Sequence, residues 1–190
     1  MLIKPAYSPP EVWRDLVHEL KRAARDRKHP MRSFVLSSQG PEGPDACYVV
    51  LRHFTDEPAL LFYTDGRSAK YQNLQQESHT CSVFYHPRQR FQLRCYARAR
   101  CHQGDERAQK YWQEVPAPGR KAYTPDYAPG TPLPAPETAH QWSRLSDSQF
   151  FSVVELLPYR WDVLQLDGGA HRRLIFTRAA NSWEGRWVAP

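Results

Sequence analysis

Residues 91–102 read FQLRCYARARCH, and their alternation decides the fold. Phe91, Leu93, Cys95, Ala97 and Ala99 fall on one side of an extended chain, and Gln92, Arg94, Tyr96, Arg98 and Arg100 on the other. A period of two with one apolar side belongs to an antiparallel strand that buries one face. Working outward, RSFVLSS from Arg32, ACYVVLRHF from Ala46, PALLFYT from Pro58 and HTCSVFYH from His79 are short and rich in β-branched and aromatic residues. Gly, Pro and Asp turns separate them, as between strands. FFSVVELL, RWDVLQLD, HRRLIFTR and SWEGRWVAP form a terminal meander, with turns expected at 167–169 and 180–182. Strands this numerous and this locally paired, roughly nine with few helices, predict a mainly β fold built as a closed or split antiparallel barrel.

Helices flank that barrel. SPPEVWRDLVHELKRAARDRK offers Ser8 as N-cap and prolines in the first turn, so an amphipathic helix is expected over about 9–28. Trp13, Leu16, Val17 and Leu20 would face the core, leaving a basic outer face. SAKYQNLQQES and GDERAQKYWQEV read as shorter helices. The stretch 116–136 is dominated by proline and glycine and lies between strand regions, so it is expected as a structureless excursion within one domain spanning 1–190.

Composition narrows the function. A net charge of +6 suits a nucleic acid, an anionic membrane or a phosphorylated ligand. No segment has the apolar core of a signal peptide, and no run reaches transmembrane length. Cys47, Cys81, Cys95 and Cys101 form no CxxC pair, which points to reduced thiols in the cytoplasm. The eight histidines show no HExxH or HxH spacing, so no metal site is expected and most should be surface or turn residues. G-x-S-x-G, P-loop and GxGxxG motifs are all absent.

What remains is FYTDGRSAKYQNL, residues 62–74, where Arg67, Ser68 and Lys70 crowd a strand-to-helix junction. Backbone N–H groups at a helix start, a hydroxyl and two cations make an anion grip. The order of VVLRHF, FYT, the S-x-K helix, the F-Q-L-R strand and the C-terminal HRRLIFTR resembles the pyridoxamine 5′-phosphate oxidase family of FMN-binding split barrels, in the branch with a TD-x-RS-x-K signature. The resemblance runs from about residue 32 to residue 190.

This resemblance implies FMN as cofactor, bound at the interface of a homodimer. It puts residues Tyr48, Val49, Val50, Leu51 and Arg52 along the flavin, with Arg52 near cofactor and substrate. Tyr63 and Thr64 would contact the flavin, and Lys70, beside Arg67 and Ser68, its phosphate. Gln92 would reach it from the second subunit. Arg173 would also contact the flavin, while His171 would lie near the substrate as a proton shuttle and Tyr111 would meet a substrate phosphate. The sequence departs from the family at Cys47, where an arginine is expected, at Ala69, at Leu164 in place of a tryptophan, and at Val115, Gly119 and Gly169. Most of the pyridoxal-phosphate grip is therefore missing, and the expected activity is that of a flavin-dependent oxidoreductase with an altered substrate site. The alternative is a non-catalytic flavin- or haem-binding protein, with His171 as axial ligand. A nucleic-acid-binding barrel ranks last.

Overall fold

The computed structural model describes residues 1–180 and 182–190. Helix α1, Pro9–Arg25, opens with the Glu11 carboxylate accepting the Ser8 backbone N–H at 2.8 Å and its hydroxyl at 2.6 Å. This serves donors that a helix start leaves unpaired. The helix ends at Arg25 and not near residue 28, because Asp26 turns extended and its carboxylate takes the Lys28 N–H at 2.8 Å. α1 buries Val12, Leu16, Leu20 and Ala23, while Trp13 stacks on Trp183 with ring centroids 5.1 Å apart.

Nine strands follow: β1 Ser33–Gly40, β2 Gly43–Val50, β3 His53–Phe54, β4 Leu60–Asp65, β5 His79–His86, β6 Phe91–Gln103, β7 Phe151–Gln165, β8 Arg172–Ala179 and β9 Ser182–Val188. Every pairing is antiparallel, in the order β2-β1-β5-β6-β7-β4-β3, with β8 and β9 branching from β7. The alternation that opened the analysis holds along β6, where Phe91, Leu93, Cys95 and Ala97 are buried. Of the two turns expected in the meander, 167–169 joins β7 to β8, whereas 180–182 contains Asn181, which lies outside the described residues.

Two strand boundaries differ from expectation, and both shape the barrel. FFSVVELL and RWDVLQLD are not two strands but one, β7, paired along one side with β6 throughout. Its other side is shared: residues 151–156 pair with β4 and residues 160–165 with β8. The handover falls at Pro158 and Tyr159, where the β6–β7 register shifts. A proline cannot donate to a ladder, and a bulge absorbs it while bending the strand. That fork is what splits the barrel. Conversely, ACYVVLRHF is not continuous. β2 ends at Val50, then the Leu51 N–H bonds to the Arg32 carbonyl and the Arg52 N–H to the Leu61 carbonyl, both at 2.8 Å. The chain thus changes partner from the β1 side to β4 between two adjacent residues, and Arg52 and His53 sit at that corner.

The main core lies between α1 and the inner sheet face, around Phe34, Phe62, Phe84, Phe91, Trp161 and Phe176. Burying each such side chain contributes roughly 1.5–3 kcal/mol. A second cluster of Leu61, Trp112, Val115, Tyr123, Phe151 and Val153 seats α3, Glu106–Glu114, on β4 and β7. The Pro-rich segment is not structureless. It forms a short helix α4, Ala117–Arg120, and a single turn of 3-10 helix at Pro136–Ala139. It also folds back on itself: the Trp142 indole N–H donates to the Lys121 carbonyl at 2.9 Å, and the Ser143 hydroxyl to the Asp126 carboxylate at 2.7 Å. Among the described residues no helix is long and apolar enough to cross a membrane.

Candidate functional site

The anion grip forms where β4 gives way to α2, Ala69–Gln76. Lys70 is half-buried in the first turn of α2 and makes no hydrogen bond or ion pair among the described residues. The first N–H groups of a helix have no intrahelical acceptor, so they face the same direction of need as the lysine: an anion from outside. The lysine charge also reaches Cys47, whose thiol is nevertheless pushed up by burial, against the pull of Lys70.

Two expected donors are engaged elsewhere. The Arg67 guanidinium binds the Asp65 carboxylate at 2.7 Å and the Pro125 carbonyl at 2.7 Å, and it lies over the Phe150 ring. Arg67 therefore ties the long excursion to the end of β4. Ser68 occupies the N-cap position of α2, yet its hydroxyl does not cap. It donates to the Asp65 carbonyl at 2.7 Å and sits 3.1 Å from the Thr64 hydroxyl.

The β2–β3 corner opens onto a second feature, a cavity of about 800 Å³ whose lining includes Arg32, Arg52, His53, Tyr63, Glu114 and Tyr123. Arg52 donates to the Tyr123 hydroxyl at 3.1 Å and lies beside the Tyr63 ring. His53 Nε2 is 2.8 Å from the Tyr63 hydroxyl and 3.2 Å from the Glu114 carboxylate. Burial holds the His53 imidazole below its ordinary pKa, with Glu114 opposing. Burial likewise raises the Tyr63 phenol, and Glu114 adds to that rise. Tyr111 of α3 packs against His53 and Tyr63, with ring centroids 4.7 and 5.8 Å away.

The remaining expected residues stand on other strands. Gln92, Leu164 and Arg173 are cross-strand partners on β6, β7 and β8, so they form one row on the outer sheet face. The adjacent row runs Tyr48, Val35, Val83, Arg94, Asp162, Ile175. Asp162 is fully buried there and gathers Arg94 at 2.6 Å, Arg173 at 2.8 Å and Arg160 at 3.5 Å. Burial opposes its ionisation, but the Arg173 hydrogen bond and the two nearest guanidinium charges outweigh this, and its pKa is lowered. His171 is exposed in the β7–β8 turn, where Nδ1 accepts the Asp167 N–H at 3.1 Å.

Sequence reading missed His53, Glu114 and Tyr123. His53 lies inside the VVLRHF stretch but the resemblance gives it no role there, and a helix-terminal glutamate and a tyrosine in a Pro-rich stretch carry no signal until the chain folds. It also misjudged His29 and His86, which are buried with Glu19 in a group of metal-ligand spacing. Backbone N–H groups of Met31 and Gln89 donate to Nδ1 of His29 and His86 at 3.2 and 3.1 Å. Each Nε2 therefore carries the hydrogen and faces Glu19, whereas a metal at Nε2 needs its lone pair there and the N–H on Nδ1. The group is a polar staple between α1 and the barrel.

A forked antiparallel barrel with flanking helices matches the split barrels among solved FMN-binding proteins. Residues 10–103 match the family model described as "Pyridoxamine 5′-phosphate oxidase, FMN-binding domain", and the chain belongs to that pyridoxamine 5′-phosphate oxidase-like family. A pyridoxamine 5′-phosphate oxidase-related, FMN binding protein from Nostoc punctiforme PCC 73102 is 25% identical; the match covers 97% of this chain and 100% of that one, with a TM-score of 0.78. PhzG from Burkholderia lata 383, solved in complex with tetrahydrophenazine-1-carboxylic acid, is 17% identical over 98% of this chain and 95% of that one, with a TM-score of 0.73. At that identity PhzG shares the fold. No curated protein sequence matches this chain.

Proposed function

We propose that the chain binds FMN through Lys70 and acts as a homodimeric flavin-dependent oxidoreductase, with the Arg52–Tyr63 cavity as its substrate side. The carrying observation is Lys70, a half-buried ammonium without a partner among the described residues, in the first turn of a helix. The residues suit the phosphate only in part, since Arg67 and Ser68 are held by Asp65. Lys70 and the α2 N–H groups would therefore do most of the holding. The strand end Tyr48, Val49, Val50, Leu51 and Arg52 would line the ring, with Tyr63 and Thr64 on β4 beside it. A bound flavin supplies the electron transfer, and the protein supplies position and charge.

The dimer reading rests on the outer face of the sheet. Tyr48 there is 75% exposed, and Val35, Val83, Leu164 and Ile175 each keep some exposed surface. A second copy would cover these side chains and bring Gln92 and Arg173 to the first copy's Lys70 side. Arg173 has Nε and Nη2 on Asp162, which leaves Nη1 for a ligand. His171 accepts the Asp167 N–H through Nδ1 and keeps Nε2 for proton handling, and His53 in the Arg52 cavity is a second group for that role. Nothing in the geometry favours the haem alternative. Four free cysteines suit a reducing, cytoplasmic setting.

The test is an FMN titration followed by flavin fluorescence, paired with sedimentation equilibrium. Saturation at one FMN per chain, on a dimer, is the expected result. Absence of saturable FMN binding overturns the proposal, and tight binding by a folded monomer removes its dimer part.

A further inference from the structure

Glu19, His29 and His86 are buried together, and the flavin reading uses none of them. They come from three parts of the chain: Glu19 from α1, His29 from the loop after it, and His86 from the end of β5. His29 Nε2 lies 3.0 Å and His86 Nε2 3.8 Å from the same oxygen, Glu19 Oε2. The other carboxylate oxygen accepts from Arg22 at 3.0 Å. Both rings use the Nδ1 lone pair on a backbone N–H, that of Met31 at 3.2 Å and that of Gln89 at 3.1 Å. Only neutral imidazoles fit this pattern, because an imidazolium is a donor at both nitrogens.

An added proton breaks a bond wherever it enters. Nε2 already carries its hydrogen, so the proton must go to Nδ1. That nitrogen faces a backbone N–H and not Glu19, so two buried donors would meet without an acceptor. Burial holds the His86 imidazole below its ordinary pKa; Glu19 opposes this, while His29 and the N-terminal ammonium add to it. The remaining charges near the group are few. Lys4, Asp15 and the exposed His18 line a cavity beside Glu19, with the uncharged Gln89 from the β5–β6 turn. Asp26, Arg27 and Lys28 on the loop, and Arg88 and Arg90 on the turn, are exposed.

Each partner of the group carries a further contact. The turn that follows His86 gives its Gln89 and Arg90 carbonyls to the Gln165 side chain at 2.8 and 3.0 Å, and Gln165 in turn accepts the Leu2 and Ile3 N–H groups. On the other side, the His29 carbonyl accepts the Arg32 N–H at 2.9 Å, and Arg32 leads to the β2–β3 corner through its bond to Leu51.

We infer that Glu19, His29 and His86 form an acid-sensitive latch: two neutral histidines clip α1 and its following loop to the β5–β6 turn, and uptake of a proton on Nδ1 releases them together with the N-terminal segment. The released state takes the proton first, since its histidines have the ordinary pKa. The latch is therefore closed above about pH 6.5 and weakens as the pH falls below that value. None of this depends on the flavin reading.

Proton–nitrogen correlation spectra of the histidine rings read the tautomer directly. At about pH 7.5, His29 and His86 should both show a hydrogen on Nε2 and a bare Nδ1. Between about pH 7.5 and about pH 5.5, exchange of the Leu2, Ile3, Met31 and Gln89 N–H groups, corrected for its intrinsic pH dependence, should quicken severalfold, while β6 and β7 keep their protection. Asparagine offers Oδ1 in the place of Nδ1 and takes up no proton. His29→Asn and His86→Asn together should therefore keep the latch shut and remove the acid response, and His18→Gln should leave that response intact. A hydrogen on Nδ1 of either ring at about pH 7.5 overturns the inference. So does an acid response that survives in the folded double variant, which would assign it to other groups. If the double variant fails to fold, the wild type decides alone: unchanged protection of the four N–H groups at about pH 5.5 overturns the latch.

Discussion

Replacing Asp162 with asparagine tests whether one carboxylate organises the outer sheet face. Its side chain has no exposed surface, while the guanidinium-bearing side chains of Arg94, Arg160 and Arg173 around it are 31, 38 and 25% exposed. Asparagine keeps the shape and an acceptor oxygen but removes the only negative charge among the described residues that contacts the three cations. Removing one partner of a buried ion pair costs about 3–5 kcal/mol. The arginines here still reach water, so the low end applies, about 3 kcal/mol, or a fall in Tm of about 6–12 °C for a chain of this size. Urea denaturation at pH 7 reads the free energy, and a thermal melt reads the shift. The pH dependence adds a sign. The Asp162 pKa is lowered on folding, so the unfolded chain holds more protons in the acid range, and this part of the stability is present at neutral pH and lost as pH falls through the folded-state pKa. The difference between wild type and Asp162→Asn should therefore shrink below about pH 4. A loss under about 1 kcal/mol at pH 7, the worth of an exposed pair, would refute the idea that these arginines depend on Asp162.

Three further outcomes are expected. Lys70→Ala should weaken FMN by about 10- to 100-fold, the worth of a charge-assisted bond, and leave riboflavin unchanged in the same fluorescence titration; equal losses for both would dissociate Lys70 from the phosphate. Gly66→Ala should cost about 1–3 kcal/mol in urea denaturation, because the new methyl would clash with Gln103 Oε1 and stand 2.6 Å from the buried Ser152 hydroxyl. Gln165→Leu should cost about 2–4 kcal/mol, since the side chain, fully buried, accepts the Leu2 and Ile3 N–H groups at 2.9 and 3.2 Å and donates to the Gln89 carbonyl at 2.8 Å. Hydrogen exchange should then quicken at Leu2 and Ile3, and unchanged protection there would mean that the N-terminal segment is held by other contacts.

Much of this was legible before folding. Alternation along β6 needs only a local period, and so do the helix starts, where Glu11 reaches back to Ser8 and the Asp105 side chain accepts the Ala108 N–H. The strand-to-helix junction that presents Lys70 is equally local, because Thr64 to Lys70 are neighbours in the chain. Boundaries were the less legible part. Pro158 reads as a strand break, yet the bulge beside it keeps β7 whole, since neighbouring strands supply the pairing that the proline cannot. The reverse holds at Leu51 and Arg52, where an unbroken β pattern hides an exchange of partners.

The sequence by itself therefore determined the mainly β class, the flanking helices and the lysine of the anion grip, all of which follow from periods and neighbours within a few residues. Tertiary structure alone decided which of the expected groups stay available. Arg67 and Ser68 lie beside Lys70 in sequence, and Asp65 takes both locally, but it is the long excursion, folded back onto β4, that brings the Pro125 carbonyl to Arg67 and completes its engagement. His53, Glu114 and Tyr123 are 61 and 9 residues apart in sequence order, from 53 to 114 and from 114 to 123, and share one cavity only because β3 pairs with β4 while α3 packs over β4 and β7. Contacts of that kind leave no trace in a linear pattern, since no local energy favours them until the sheet has closed.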